Sequence, residues 1–303
     1  MAKAKTRRRP AAPLGASLVV MSSFFYASYG IWTKLLGNFL GGYTASAIRS
    51  VLVLIMLAPI AAVYRKWQPV DWSRNRRYLI GMIVSSLFTW GPLFYAVIHA
   101  GVAVALTVSY AGIIIGSFVF GWLFGGEGYT RDKFIATVLS FVGLWLVFTP
   151  SLSSGSWLAV VAALVSGLSA GSNGACVKQL SYNATQSTLA LWSASLVANT
   201  VMAVVVSEAP VSGGWHVQWL YLLCFAIASV VASWSFVAGI KLIDIGAAGI
   251  LGLLEVVFGV LFGVLFFNEH LNALELLGVA VIIAAAAIPY VRDYNAQRGR
   301  LEG

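Results

Sequence analysis

Charged residues, cysteine and histidine are all scarce in this sequence. Only 10% of its 303 residues are charged, whereas a soluble domain carries about 25%. A soluble fold with so few charges would have too little polar surface to cover its core. The two cysteines, Cys176 and Cys224, lie inside apolar runs, so neither a disulfide framework nor a cysteine metal set is expected. These absences exclude an ordinary soluble domain and a disulfide-stabilised one.

Motifs of enzymes and metal sites give no support for catalysis. The sequence has no HExxH, CxxC or GxxxxGK[ST] pattern, and its histidines, His99, His216 and His270, are scattered. We therefore predict no catalytic residue, no metal ion and no cofactor. The net charge of +9 would suit nucleic-acid binding. However, the basic residues lie in short clusters between long apolar runs, which is typical of membrane-protein loops, so we expect no nucleic-acid partner.

Long apolar runs dominate the rest of the sequence. A helix needs about 20 apolar residues to cross a bilayer, and ten stretches qualify. They cover residues 14–36, 43–64, 78–99, 102–124, 132–149, 156–178, 187–207, 217–241, 246–267 and 271–291. No break between them is long enough for a soluble domain. The predicted fold class is an all-α integral membrane protein with ten transmembrane helices.

The basic residues indicate how these helices are oriented. If the N-terminus lies in the cytoplasm, all of the 19 lysines and arginines except Lys34 and Arg49 fall on the cytoplasmic side. The positive-inside rule predicts such a bias. We therefore expect a multi-pass protein of the bacterial inner membrane with both termini in the cytoplasm.

The two halves of the sequence resemble each other. Spans four and nine match without a gap, pairing Ala105 with Ala247, Gly121 with Gly263 and Glu127 with Glu269. Spans one and six also match, pairing Ser22 with Ser166, Gly30 with Gly174 and Lys34 with Lys178. Because each half has five spans, an odd number, the second half enters the membrane upside down. Inverted repeats are typical of secondary transporters, whose substrate lies where the halves meet.

This repeat defines the predicted organisation of the chain. We expect a cytoplasmic basic tail (1–13), a first five-helix repeat (14–150), a second, inverted five-helix repeat (151–291) and a cytoplasmic tail (292–303), with a central cavity between the repeats. Small residues recur at a spacing that lets helices approach closely. They form Ser117-x-x-x-Gly121, Gly167-x-x-x-Gly171 and Gly259-x-x-x-Gly263.

The span ends resemble those of the EamA-type branch of the drug/metabolite transporter superfamily. Two matching runs end in an acid, Leu123-Phe124-Gly125-Gly126-Glu127 and Leu265-Phe266-Phe267-Asn268-Glu269, and the spans that follow contain Gly143 and Gly278. Tyr29-Gly30 followed by Lys34 is similar to the family's opening helix. The resemblance implies a ten-helix fold and export of small metabolites, and the aromatic-rich interior is most similar to the bacterial aromatic amino acid exporters of that group.

One position departs from the family pattern. Family members often carry Glu-Pro midway along the ninth span, whereas this chain has Glu255-Val256. The missing proline removes the usual reason for a helix break at this point.

A polar stripe follows the first span at helical spacing, through Ser22, Tyr26, Tyr29 and Thr33, and Asn173 continues a shorter version on the sixth span. Such a stripe faces protein or a wet cavity rather than lipid. Two interpretations stay open, interhelical hydrogen bonding and the wall of a substrate cavity. Tyrosine suits the second because it offers an apolar face and a hydroxyl.

Four further candidates lie within later spans. Trp90 and Tyr110 are near mid-span, away from the interfacial positions that tryptophan and tyrosine usually occupy, and Ser233 belongs to a polar stripe on the eighth span. Glu255 is ionisable and near the midplane, where an unpaired charge is costly. It is protonated, hydrogen-bonded to a neighbouring helix, or paired with a substrate ammonium. Arg49 is a candidate partner that could equally extend toward the membrane surface.

These residues predict a secondary exporter rather than an enzyme. The predicted substrate-binding set is Tyr26, Tyr29, Trp90, Tyr110, Asn173, Ser233 and Glu255. The expected partners are membrane lipid and a small-molecule substrate, an amino acid of aromatic or hydrophobic type or a similar metabolite. The alternatives are a membrane-embedded lipid-modifying enzyme, which would need acid, base or metal ligands clustered at one depth, and an exporter of drugs or other metabolites.

Overall fold

The computed structural model describes residues 12–37, 39–63, 67–69, 71–149, 156–208, 214, 216–268 and 270–298. The predicted basic tail up to residue 11, Glu269 and residues 299–303 lie outside these ranges. The helices are α1 Ala12–Ala27, α2 Tyr29–Leu36, α3 Gly42–Val63, α4 Trp72–Ala100, α5 Val102–Gly125, α6 Arg131–Phe148, α7 Trp157–Gln179, α8 Ala184–Val205, α9 Val217–Ile240, α10 Ile245–Gly252, α11 Leu254–Phe267 and α12 Ala273–Arg298. The described residues contain no β-strand.

Each predicted span coincides with one helix or with two consecutive helices. The first span consists of α1 and α2, and the ninth consists of α10 and α11. By length and composition, 8 of these segments can cross a membrane. The helix α6 begins with three charged residues, and the apolar part of α12 is the shorter stretch Ala273–Ile288. The chain is therefore a multi-pass, all-helical membrane protein, and the count of ten crossings stays a prediction.

The distribution of side chains is that of a protein in lipid. Large apolar side chains cover the outside, and Ile55 and Leu265 are 62% and 64% exposed. Small polar side chains are buried among apolar ones inside, and Ser50, Ser140 and Ser229 have no exposed surface. This distribution is expected where lipid contacts the surface and small residues let helices pack closely.

Capping residues explain where several helices begin and end. The side chains of Asp71 and Asn183 accept hydrogen bonds from the first-turn amides of α4 and α8. The Ser73 hydroxyl and the Arg74 amide both donate to Asp71, which lowers the pKa of this exposed carboxyl. Gly126 after α5 and Asn268 after α11 adopt left-handed backbone conformations, which these two residue types tolerate best. The two repeats therefore end their fourth spans in the same way.

Helix packing follows the two-repeat organisation. The helix α7 opens the second repeat and packs against α4 and α5 of the first. Reciprocally, α1 opens the first repeat and packs against α9, α10 and α11 of the second. The remaining major contacts join α3 to α8 and α6 to α12, which are equivalent helices of the two repeats. Each repeat thus completes the other, and neither forms a separate core.

Glycines bring the backbones of α5 and α7 into direct contact. A Cβ atom placed on Gly116 would lie 2.7 Å from the Leu168 carbonyl oxygen, and one on Gly171 would lie 2.5 Å from the Ser117 nitrogen. The close packing predicted for the glycine motif of the sixth span is therefore confirmed. The same expectation was wrong at Gly259, where a Cβ atom would meet nothing within 4 Å.

Replacing Gly171 by alanine is expected to destabilise the protein by about 1–3 kcal/mol, because the added methyl group meets backbone that cannot rotate away. The measurement is the melting temperature in detergent. Gly259→Ala is the matched control, since its methyl group enters open space and alanine is the better helix former by about 1 kcal/mol. Equal melting temperatures for the two variants would contradict the packing argument.

Both the first and the ninth span are broken, at Ser28 and at Leu253. The turn is tightened there by hydrogen bonds three residues apart, from the Ile31 amide to the Ser28 carbonyl at 3.0 Å and from the Val256 amide to the Leu253 carbonyl at 2.9 Å. The missing proline therefore does not keep the ninth span regular. Gly252, a poor helix former, directly precedes the second break.

The equivalent helices α3 and α8 cap each other at the two ends of the bundle. At one end, the Glu208 carboxylate accepts hydrogen bonds from the Tyr43 and Thr44 amides, at 2.9 and 2.7 Å, at the start of α3. At the other end, the Gln68 side chain accepts one from the Asn183 amide at 2.9 Å, beside the start of α8. We refer to these two ends as the Tyr43 face and the Lys178 face. The reciprocal caps satisfy amides that helix N-termini leave without partners.

Candidate functional site

Four of the predicted site residues come together inside the bundle. The Tyr26 and Tyr29 rings lie edge to face, with centroids 5.2 Å apart. The Tyr110 hydroxyl lies beside the Glu255 carboxyl, and Glu255 also interacts electrostatically with both other tyrosines. All four side chains are partly exposed. The first, fourth and ninth spans therefore contribute to one polar, aromatic cluster.

The helix breaks position two members of this cluster. Tyr29 is the first residue of α2, directly after the break at Ser28. Glu255 is the second residue of α11, directly after the break at Leu253. The Ser23 hydroxyl, 3.4 Å from the Leu251 carbonyl oxygen, connects α1 to α10 at the same level. Each break therefore places a candidate site residue in the first turn of a half-helix.

Arg49 lies beside the cluster in an aromatic surrounding. Its guanidinium carbon is 4.2 Å from the ring centroid of Phe225, 4.9 Å from that of Tyr29 and 5.5 Å from that of Trp192. Only 5% of its surface is exposed, and its Nε atom is buried without a hydrogen-bond partner. Neither sequence expectation describes this position, because Arg49 contacts rings rather than Glu255 and does not extend to the membrane surface.

Two of these ring residues were missed by the sequence analysis. Phe225 packs edge to face on Tyr29 with centroids 4.6 Å apart, and Trp192 donates from Nε1 to the Ser233 hydroxyl at 2.8 Å. Trp192 lies near the middle of α8 but only five residues into the predicted span 187–207, so from the sequence it resembled an interfacial tryptophan. Phe225 precedes the polar stripe of the eighth span by one helical turn, which is a weaker signal.

The other predicted site residues have different surroundings. The Asn173 amide nitrogen donates to Ser85 and Ser86 at 3.1 and 2.9 Å, so it serves the interhelical role that the sequence left open. Ser233 is fully buried and donates to the Ser229 carbonyl at 2.6 Å. Trp90 lies half-buried in α4. The contacts described do not bring these three residues into the tyrosine cluster, and their contact with substrate stays a prediction.

The sequence analysis missed one hydrolase-like motif, which has the wrong structural context for catalysis. Gly167-Leu168-Ser169-Ala170-Gly171 matches GxSxG, which in hydrolases places serine on a sharp strand-to-helix turn. Here the whole motif lies inside α7, and its glycines contact the α5 backbone. The motif therefore serves helix packing. The described residues also contain no group of three His, Cys, Asp or Glu side chains that could hold a metal ion.

A polar network joins the helix ends at the Lys178 face. Lys178 forms an ion pair with Glu127, and both side chains are about nine-tenths buried. The second Glu127 oxygen accepts a hydrogen bond from the Ile245 amide at 2.8 Å, and the Lys178 ammonium donates one to the Ile243 carbonyl at 2.6 Å. Glu127 therefore acts as a structural helix-end contact. The repeat counterpart of Lys178 is Lys34, whose ammonium lies 3.8 Å from the Phe267 ring centroid.

These features define a multi-pass membrane protein built from two helical repeats whose opening spans are exchanged between the halves. The family model described as the EamA-like transporter family matches residues 13–149 and again residues 157–290. The chain belongs to the EamA-like transporter family. The sequence-based resemblance to this family is therefore confirmed, and its two matches coincide with the two predicted repeats.

Comparison with solved structures agrees on the fold. One crystal structure matches with a TM-score of 0.77 at 15% sequence identity, covering 94% of this chain and 98% of the other. At this identity the likeness concerns the fold alone. No curated protein matches the sequence significantly.

Proposed function

We propose that the protein is a secondary transporter that exports small organic metabolites across the bacterial inner membrane by alternating access. Amino acids of aromatic or hydrophobic type are the proposed substrates. The observation that carries this proposal is the cluster of Tyr26, Tyr29 and Tyr110 around Glu255. Tyrosine faces suit an apolar side chain, and a carboxylate at membrane depth suits an ammonium group.

The two-repeat packing supports alternating access. Because each opening span packs into the opposite half, exchanging the conformations of the halves would open one face and close the other. The Lys178 network ties the ends of α5 and α7 to the start of α10, so it would have to separate when that face opens. At the breaks in the first and ninth spans, fewer helical backbone hydrogen bonds would oppose such a movement.

The orientation that we propose places the Lys178 face and both termini in the cytoplasm. A fluorescent reporter that folds only in the cytoplasm, fused after Arg300, is expected to be active, because basic residues concentrate on that side. A phosphatase reporter at the same position should be inactive. An active phosphatase fusion would reverse the topology.

Flux measurements with purified protein in liposomes test the proposed function. Vesicles loaded with a labelled panel of amino acids, other metabolites and drugs are expected to release aromatic or hydrophobic amino acids faster than protein-free vesicles do. Preferential release of drugs or other metabolites would identify the alternative substrate class. If the folded protein released none of these compounds, the transport proposal would fail.

A further inference from the structure

Arg49 is a buried cation whose surroundings neutralise it only in part. It sits in α3 among the rings of Tyr29, Trp192 and Phe225, with 5% of its surface exposed. Aromatic faces attract a guanidinium group through their quadrupoles. They do not, however, accept the in-plane hydrogen bonds that its nitrogens offer, and Nε is buried without an acceptor.

A structural role alone is a weak explanation for this arginine. Burying a charge without an anionic partner is costly, and the cost is higher still within a membrane. An apolar side chain of similar length would fill the same space between the three rings without that cost. The positive charge is therefore best explained by an anion that is present for only part of the transport cycle.

We propose that Arg49 binds a carboxylate group of the transported substrate, and that the substrates of this protein are therefore carboxylic acids. This inference rests on the proposed transport function and deepens it. Guanidinium and carboxylate match as planar, bidentate partners. A singly charged carboxylate balances the single positive charge of Arg49 better than a doubly charged phosphate does.

The neighbouring residues indicate how such a substrate would be oriented. Arg49 lies against the Tyr29 ring, and Glu255 is near enough to Tyr26 and Tyr29 to interact electrostatically with both. A dipolar substrate would lie along these rings, with its anionic end at Arg49 and its cationic end toward Glu255. The ring of Tyr29, 4.9 Å from the guanidinium carbon and partly exposed, would then separate the two charged ends.

The test measures liposome flux for three compounds that share one side chain: an aromatic amino acid, its carboxamide and its deaminated carboxylic acid. The unmodified protein is expected to move both carboxylates at least about tenfold faster than the carboxamide, as a lost charge-assisted hydrogen bond implies. Arg49→Met should abolish this preference, and Arg49→Lys should retain part of it. Arg76→Met, at an exposed arginine of α4, is the control that should change nothing.

Each outcome of this test either supports or overturns carboxylate binding by Arg49. Equal flux of the amino acid and its carboxamide through the unmodified protein would overturn it, and so would an unchanged preference in a folded Arg49→Met variant. If Arg49→Met does not fold, the preference of the unmodified protein and its reduction in Arg49→Lys decide instead. Transport of the deaminated acid without the amino acid would refute amino acid export while supporting carboxylate binding by Arg49. No flux of any compound would refute both.

Discussion

Replacing Glu255 by glutamine is expected to leave the protein folded and to lower amino acid flux roughly tenfold or more, as the loss of one charge-assisted hydrogen bond implies. Glutamine keeps the shape of the side chain and can still pair with the Tyr110 hydroxyl. It cannot carry a negative charge to meet a substrate ammonium, nor can it take up and release a proton. The measurements are melting temperature and liposome flux over a range of pH.

A purely structural role for Glu255 predicts a different pattern. If the carboxyl only ties α11 to α5 through Tyr110, glutamine should be tolerated and alanine should destabilise the protein. Tyr110→Phe is the matched control, because it removes the hydroxyl beside Glu255 without touching the acid. Normal flux with normal pH dependence in Glu255→Gln would remove the functional role and leave the interhelical contact. Symmetry does not require an acid here, since the counterpart in span four is Ile113.

Replacing Lys178 by methionine is expected to lower the stability by about 3–5 kcal/mol, the usual result of leaving one partner of a buried ion pair without the other. The Lys178 and Glu127 side chains are only 10% and 11% exposed. Glu127 would then keep its negative charge in a buried position, balanced only by amide donors such as that of Ile245. Melting temperature in detergent measures the effect.

A double-mutant cycle separates the ion pair from the other contacts. Adding Glu127→Gln to Lys178→Met should recover part of the lost stability, because the uncompensated carboxylate is gone. Asp244→Asn is the comparison at a neighbouring ion pair. Its ion pair with Lys133 spans 2.8 Å, with Lys133 10% and Asp244 43% exposed. Because Asp244 itself is partly solvated, a smaller loss than that of Lys178→Met is expected. Equal losses for Lys178→Met and Asp244→Asn would contradict the argument from burial.

The spans and the repeat could be predicted from the sequence because lipid constrains a chain strongly and locally. Each crossing needs a long apolar run, so the positions of the helices are visible in composition alone. The shared glycine, lysine and glutamate positions revealed the duplication, and the family match to both halves agrees with it. The cluster residues Tyr26, Tyr29, Tyr110 and Glu255 were found because polar groups inside apolar spans are costly and therefore informative.

Only the tertiary structure decided which of these residues contact one another. Hydropathy does not say which helix faces contact each other, so Gly171 and Gly259 looked alike, although one touches backbone and the other touches nothing. The break at Leu253 forms without a proline, beside the Ser23 contact from a distant helix. The ring surroundings of Arg49 come from α2, α8 and α9. Such surroundings depend on long-range packing between spans, whereas the spans themselves depend on local partition into lipid.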